Sequence, residues 1–303
     1  MVPHALQRLA RKVRPPASLL VRVPDGRSIA IEEYGDPAGP AVLYFHGWPA
    51  CRLEAGLIPD LPVRLLSFDR PGYGRSSPQP GRTLLDWPKD VAEVADRLGL
   101  ERFHVVGLSG GAPYGAACAH ALPHRVRGLA LVSPVPPAAG VDPRAPGVGH
   151  LFLLGRHPVL ARRMFAMLRP LLQRRMITPS TLFGTSLQAA DRASLTEAVA
   201  AGLARVWREG MGRGVHGAIS DAEIYAKNWG FPLDAIRAPA AIWFGGQDSL
   251  IPRSALAPFE TIPGARLHML PDEGHYSLPL RHAAAILRDL VDAPDQLSSS
   301  LSQ

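Results

Sequence analysis

The sequence predicts an α/β fold: a mostly parallel β-sheet flanked by helices, with a helical cap inserted between two of its later strands. Three observations predict it. Short apolar, β-branched runs alternate with helical patterns along most of the chain, the rhythm of a parallel sheet covered on both faces. That rhythm stops at a proline-rich break, Pro134, Pro136 and Pro137, and strand character returns only at residue 239. Between the two, residues 138–230 show helical periodicity alone, which reads as an insertion.

Each element has a local reason. Residues 18–23 and 28–33 read as strands joined at Asp25-Gly26, a strong hairpin signal. The runs at 41–46 and 63–68 are continuously apolar, as strands buried on both faces are. Residues 83–99 place Leu84, Leu85, Val91, Val94 and Leu98 near helical spacing. A strand at 103–108, a helix from about Gly110 to Leu122 and a strand at 128–133 follow. After the insertion come strands at 239–245 and 266–270 and a last helix from about Pro279 to Val291. The expected organisation is a core of residues 18–137 and 231–293, a cap of residues 138–230, and loosely packed ends at 1–17 and 294–303.

Composition narrows the function. The chain has 303 residues, 47% apolar and 19% charged, enough for a sizeable core and too apolar for a disordered state. Its glycines and prolines have no three-residue period, which excludes a collagen-like chain. No run of 18 apolar residues is present, so stable membrane insertion is not expected. The basic N-terminal stretch lacks an apolar segment, so a secretory signal is not expected either. Cys51 and Cys118 supply neither a disulfide framework nor metal-ligand spacing, and the expected setting is the cytoplasm.

The net charge is +7, carried mostly by arginine: Lys12, Lys89 and Lys227 are the only lysines. Residues 143–190 hold Arg144, Arg156, Arg162, Arg163, Arg169, Arg174 and Arg175 and no acid. We read this as a helical surface whose polar side is basic, with a lid that attracts anionic substrates or lipid as the alternative. No nucleic-acid-binding motif accompanies it, and no nucleic acid partner is expected. Nothing in the sequence specifies an oligomeric state.

The chemistry starts at Gly107-Leu108-Ser109-Gly110-Gly111, a G-x-S-x-G pattern that follows one apolar run and opens a helix. A strand reversing sharply into a helix strains the tip residue and crowds the positions two either side, which explains the glycines. Ser109 is thereby exposed above the sheet, beside helix N–H groups suited to an oxyanion. A serine nucleophile needs a base. His275, in the polar turn after strand 266–270, is the candidate; His268 and His282 lie inside regular elements and read as structural. Asp248, just past strand 239–245, is the group to hold the imidazole, with Asp272 and Glu273 as alternatives too close along the chain. All three fall past the C-terminal ends of predicted parallel strands, where open α/β sheets place their sites. Directly after strand residues 41–45 comes His46-Gly47-Trp48-Pro49. A backbone N–H here, that of Trp48, would join Gly110 N–H in the oxyanion hole, and His46 is expected to make a structural hydrogen bond.

Together with Asp69-Arg70-Pro71-Gly72-Tyr73-Gly74-Arg75-Ser76 and Gly274-His275, these motifs resemble the α/β-hydrolase fold superfamily, in its esterase-like branch with a helical cap. The resemblance spans residues 41–291 and implies a structural role, bordering the site, for the Asp69–Ser76 turn. Haloalkane dehalogenases and epoxide hydrolases of this fold carry Asp where this chain has Ser109. Proline iminopeptidases usually show tryptophan where this chain has Gly110. A single glycine before Trp48 fits ordinary esters better than bulky tertiary-alcohol esters. The expectation is a carboxylesterase acting on a small-molecule ester of short to medium acyl chain, without metal or organic cofactor. Alternatives on the same residues are a lactone, C–C bond or amide hydrolase, an aminopeptidase, a perhydrolase, or a ligand receptor with little turnover. Trp48, Met164, Phe165 and Met167 are expected to line the acyl pocket.

Overall fold

The computed structural model describes residues 17–58, 61–139, 141–142, 145, 147–174 and 187–293. The expected loose ends fall outside these residues except for Ala17, as do Arg144 and Arg175 of the acid-free stretch. The apolar runs form eight strands: β1 (Ala17–Arg22), β2 (Ser28–Gly35), β3 (Ala41–Phe45), β4 (Arg64–Phe68), β5 (Phe103–Leu108), β6 (Val126–Val132), β7 (Ala240–Gly245) and β8 (Arg266–Leu270). They build one sheet in the order β1-β2-β4-β3-β5-β6-β7-β8. β1 and β2 form the antiparallel hairpin foreseen at Asp25-Gly26, and β2 also runs antiparallel to β4; every other pairing is parallel.

Alternation along the strands divides the core into two layers. Leu43 and Phe45 of β3, Val105 of β5, and Leu129 and Leu131 of β6 point to one face. There they meet α1 (Trp87–Arg97) and α2 (Ala112–Ala121). Val42, Tyr44, Val106, Ala130 and Val132 point to the other, against Leu278, Ile286, Leu287 and Leu290 of α8 (Ser277–Asp292). Helix α2 is almost wholly buried, and its small residues let it sit close on the sheet; α1 buries only its apolar stripe. The predicted helix at 83–99 begins as a 3₁₀ turn, Leu84–Asp86, and turns α-helical at Trp87, where Pro88 suits a first turn that needs no amide donor.

Between β6 and β7 the described residues are helical where they are regular. They form α3 (Val148–Arg156), α4 (Pro158–Gln173), α5 (Ala189–Ser194), α6 (Glu197–Gly210) and α7 (His216–Tyr225). Phe165, Leu172, Val206, Trp207 and Ile219 of this insert pack on Ala50 and Cys51, just past the end of β3. The insert therefore sits over the C-terminal edge of the sheet. None of the described helices is long and apolar enough to cross a membrane.

Candidate active site

A single 3₁₀ turn, Ser109–Gly111, joins β5 to α2. Ser109 sits at its tip with φ +50°, in the left-handed region that a serine adopts only under constraint. A Cβ on Gly107 would lie 2.6 Å from Ala112 Cα, and one on Gly111 would lie 1.9 Å from the Phe45 carbonyl oxygen. No side chain fits at either position, so the two glycines permit the reversal that presents Ser109.

The turns after β7 and β8 bring two further side chains to the same point. His275 Nε2 lies 3.1 Å from Ser109 Oγ, and His275 Nδ1 lies 2.8 Å from Asp248 Oδ2. Asp248 Oδ1 accepts the amides of Leu250 and Ile251, each at 2.9 Å, which fixes the carboxylate and leaves Oδ2 for the imidazole. A carboxylate only accepts, so Nδ1 carries the proton and Nε2 is free to receive one from Ser109. Burial opposes a charge on His275, but the Asp248 carboxylate, aided by Asp191 and Glu54, outweighs it and holds the imidazole above its usual range.

Past β3, His46 is buried and neutral. Burial and the adjacent Arg70 push it well below the ordinary histidine range, and its Nδ1 donates to Gly47 O at 2.8 Å. This is the structural role expected of it. Trp48 and Gly110 are neighbours: a Cβ on Gly110 would stand 3.2 Å from Trp48 N. The Gly110 amide belongs to a first helical turn, where N–H groups have no intrahelical acceptor. Trp48 Nε1 donates to Ala218 O of the insert at 2.8 Å. Trp48, Ser109 and His275 open on a cavity of about 460 Å³ walled mainly by apolar side chains, among them Leu57, Leu151, Leu154, Leu203 and Trp207. Glu54 also faces it. Glu54 Oε2 accepts Gly47 N–H at 2.7 Å and Tyr44 O–H at 3.0 Å, and burial pushes this carboxyl up.

The expected pocket residues are only partly where the sequence put them. Trp48 lines the cavity, but Met164, Phe165 and Met167 do not. Phe165 stands behind Trp48, edge to face at 5.7 Å, Met164 is half-buried against the cluster that joins the insert to Ala50 and Cys51, and Met167 is 76% exposed on the outer side of α4. The correction has a simple cause: the buried face of α4 meets α6 and the residues after β3, not the cavity. Of the basic stretch, Arg156, Arg162 and Arg163 are exposed, and Arg169 donates to the carbonyls of Met211 and Gly212.

The sequence reading missed two buried carboxylates of the insert. Asp221, on α7, accepts Arg70 Nε at 2.9 Å, Arg70 Nη2 at 2.8 Å and the Tyr73 hydroxyl at 3.0 Å, and Tyr225 Oη also stands 3.0 Å from it. Arg82 and Tyr114 also donate to it. Although burial alone would raise its pKa, Arg70 and Arg82 hold this carboxyl far below the usual carboxylate range. The network reaches the site twice: Arg70 donates to the carbonyls of His46 and Gly47, and Tyr225 Oη donates to Gly110 O at 2.6 Å. Asp191, on α5, binds the turn that carries His275. A weak signal for it existed, since Asp191 is the first acid after the acid-free stretch. The Asp69–Ser76 turn borders the site as expected, and the insert docks on it through Gly74 N–H to Gly210 O and Gly217 N–H to Gly72 O.

With a nucleophile turn, an imidazole and a carboxylate at the C-terminal edge of this sheet, comparison with known proteins agrees in kind. The α/β-hydrolase fold family matches residues 40–281, and the chain belongs to that family. It is 33% identical over 129 residues to a non-heme chloroperoxidase of Streptomyces lividans, 39% of this chain and 45% of that protein. It is also 33% identical over 118 residues to a proline iminopeptidase of Neisseria gonorrhoeae, 37% of this chain and 38% of that protein. The chain thus matches less than half the length of these curated relatives. An esterase from Exiguobacterium antarcticum superposes with TM-score 0.66 at 20% identity, over 95% of this chain and 100% of that one, a likeness of fold.

Proposed function

We propose that this α/β-hydrolase cleaves carboxylic esters of short to medium acyl chain through an acyl-enzyme on Ser109. The reading is carried by the continuous line from Asp248 through His275 to Ser109, at 2.8 and 3.1 Å, opening on an apolar cavity. Ser109 Oγ attacks the ester carbonyl while His275 Nε2 takes its proton. Asp248 stabilises the imidazolium, and the amides of Trp48 and Gly110 receive the oxyanion, each such donor contributing about 3 kcal/mol. His275 then protonates the leaving alcohol, and water repeats the sequence on the acyl-enzyme. A cavity of about 460 Å³ lies in the range of small-ligand sites and suits a modest acyl chain.

A second reading, release of an N-terminal residue from a peptide, is favoured by one feature. Glu54 lines the cavity and its Oε1 accepts no hydrogen bond among the described residues, so the carboxyl would meet an ammonium group there. A panel of p-nitrophenyl esters from two to twelve carbons, run beside aminoacyl p-nitroanilides, separates the two. The ester reading expects multiple turnovers, a short-to-medium optimum, and loss of at least about 10³-fold in Ser109→Ala. Faster anilide cleavage, or wild-type ester turnover in Ser109→Ala, overturns it.

A further inference from the structure

The amides that lead into α8, those of His275, Tyr276 and Ser277, meet not a neighbouring side chain but a carboxylate 84 to 86 residues away. Asp191 is fully buried. Its Oδ2 accepts His275 N–H at 3.0 Å, and its Oδ1 accepts the N–H groups of Tyr276 at 2.8 Å and Ser277 at 2.9 Å. No cationic side chain among the described residues pairs with it. A buried carboxylate is costly unless hydrogen-bonded, and three amides at a helix N-terminus supply that compensation. The fit is close from the other side as well: a Cβ on Gly274 would lie 2.4 Å from Asp191 Oδ1.

A helix cap in trans would account for the amides of Tyr276 and Ser277. The bond to His275 N–H does more, because it ties down the residue whose imidazole must span Ser109 and Asp248. We propose that Asp191 is a positioning residue for His275, through which the insert completes the catalytic base. This rests on the Ser109–His275–Asp248 reading above. With α5 in place the His275 backbone is fixed at its own amide; without that acceptor the imidazole loses its angle to Ser109 Oγ. The negative charge also favours the imidazolium formed when Ser109 gives up its proton. The charged and titratable groups around His275 are the carboxylates of Asp248, Asp191 and Glu54 and the Tyr276 ring, edge-on at 5.5 Å.

A fluorophosphonate tests this without knowledge of the substrate. Ser109 Oγ forms a bond to phosphorus, fluoride leaves, and the hydroxyl proton passes to His275, so the labelling rate reads the base. In Asp191→Asn one oxygen becomes an amide NH₂ group that cannot accept, while the volume of the side chain is kept. The expected result is a plateau labelling rate about tenfold lower or more, part of the 10²–10⁴ that a positioned base contributes. The acid limb moves to lower pH, since a negative charge beside the imidazole has gone. Gly274→Ala, which displaces the same carboxylate without removing it, also slows labelling and stands in if Asp191→Asn does not fold. Labelling at the wild-type rate in either folded variant overturns the role of Asp191. Failure of the wild type to label at Ser109 removes the underlying hydrolase reading as well, so the two failures are distinguishable.

Discussion

Asp221→Asn removes the one carboxylate shared by Arg70 and Arg82, both buried. Removing one partner of a buried ion pair costs about 3–5 kcal/mol, because the other charge stays desolvated. Here two guanidiniums lose their counter-charge and the hydroxyls of Tyr73 and Tyr114 lose a charged acceptor, so the upper end, about 5 kcal/mol, applies. At about 2 °C per kcal/mol for a chain of this length, the melting temperature falls by about 10 °C. The pH dependence has a definite sign. The folded-state pKa of Asp221 lies far below its unfolded value, so its contribution is complete above the ordinary carboxylate range and fades only as pH falls through the folded value. The gap in melting temperature between wild type and Asp221→Asn is therefore constant from pH 8 to about 5 and narrows only in stronger acid. Circular dichroism melts across that range are the assay. A loss under about 2 °C at pH 7, or a gap that changes between pH 5 and 8, refutes the reasoning.

Two further outcomes follow from the same geometry. The acid limb of kcat/KM has its midpoint above 6.5, the ordinary histidine value, because Asp248 outweighs burial. In Asp248→Asn the imidazole is held in the wrong tautomer, kcat falls by about 10⁴, and any residual limb moves to lower pH; an unchanged midpoint contradicts this. Leu154→Trp, which fills the cavity wall, shifts the ester optimum to shorter chains, whereas Met167→Ala, out in solvent, leaves it where it was. Kinetics over a chain-length series decide both, and a shift caused by Met167→Ala would contradict the placement of α4.

The fold was legible in the sequence because its signals are local. Each parallel strand is a short apolar run, and β5 announces its own end with Gly107 and Gly111, whose missing Cβ atoms are required by contacts under 3 Å. Ser109, Asp248 and His275 were legible for a related reason: each lies just beyond a strand in a turn of distinctive composition, and a parallel sheet brings such turns to one edge. The pocket was less legible. Periodicity in α4 identifies a buried face through Ala161, Phe165 and Leu172 but does not say what that face meets. Asp191 and Asp221 were the least legible, since, Tyr225 apart, their partners lie 84 to 151 residues away and no spacing rule reaches that far.

Those two carboxylates also explain the charge pattern that composition alone left open. Residues 143–190 contain no acid, and the next acid, Asp191, is occupied by three backbone amides beneath the insert. Asp221 is likewise held by Arg70 and Arg82 of the core. Neither is placed to balance the exposed Arg156, Arg162 and Arg163, and the outer side of α3 and α4 keeps its basic character. Negative charge is drawn inward, where it fixes the turns that carry His275 and Gly110, and positive charge is left outside. The insert is then more than a cover. Undocking α5 and α7 would break the ion pairs of Asp221 with Arg70 and Arg82 and free the His275 amide, at a cost of several kcal/mol.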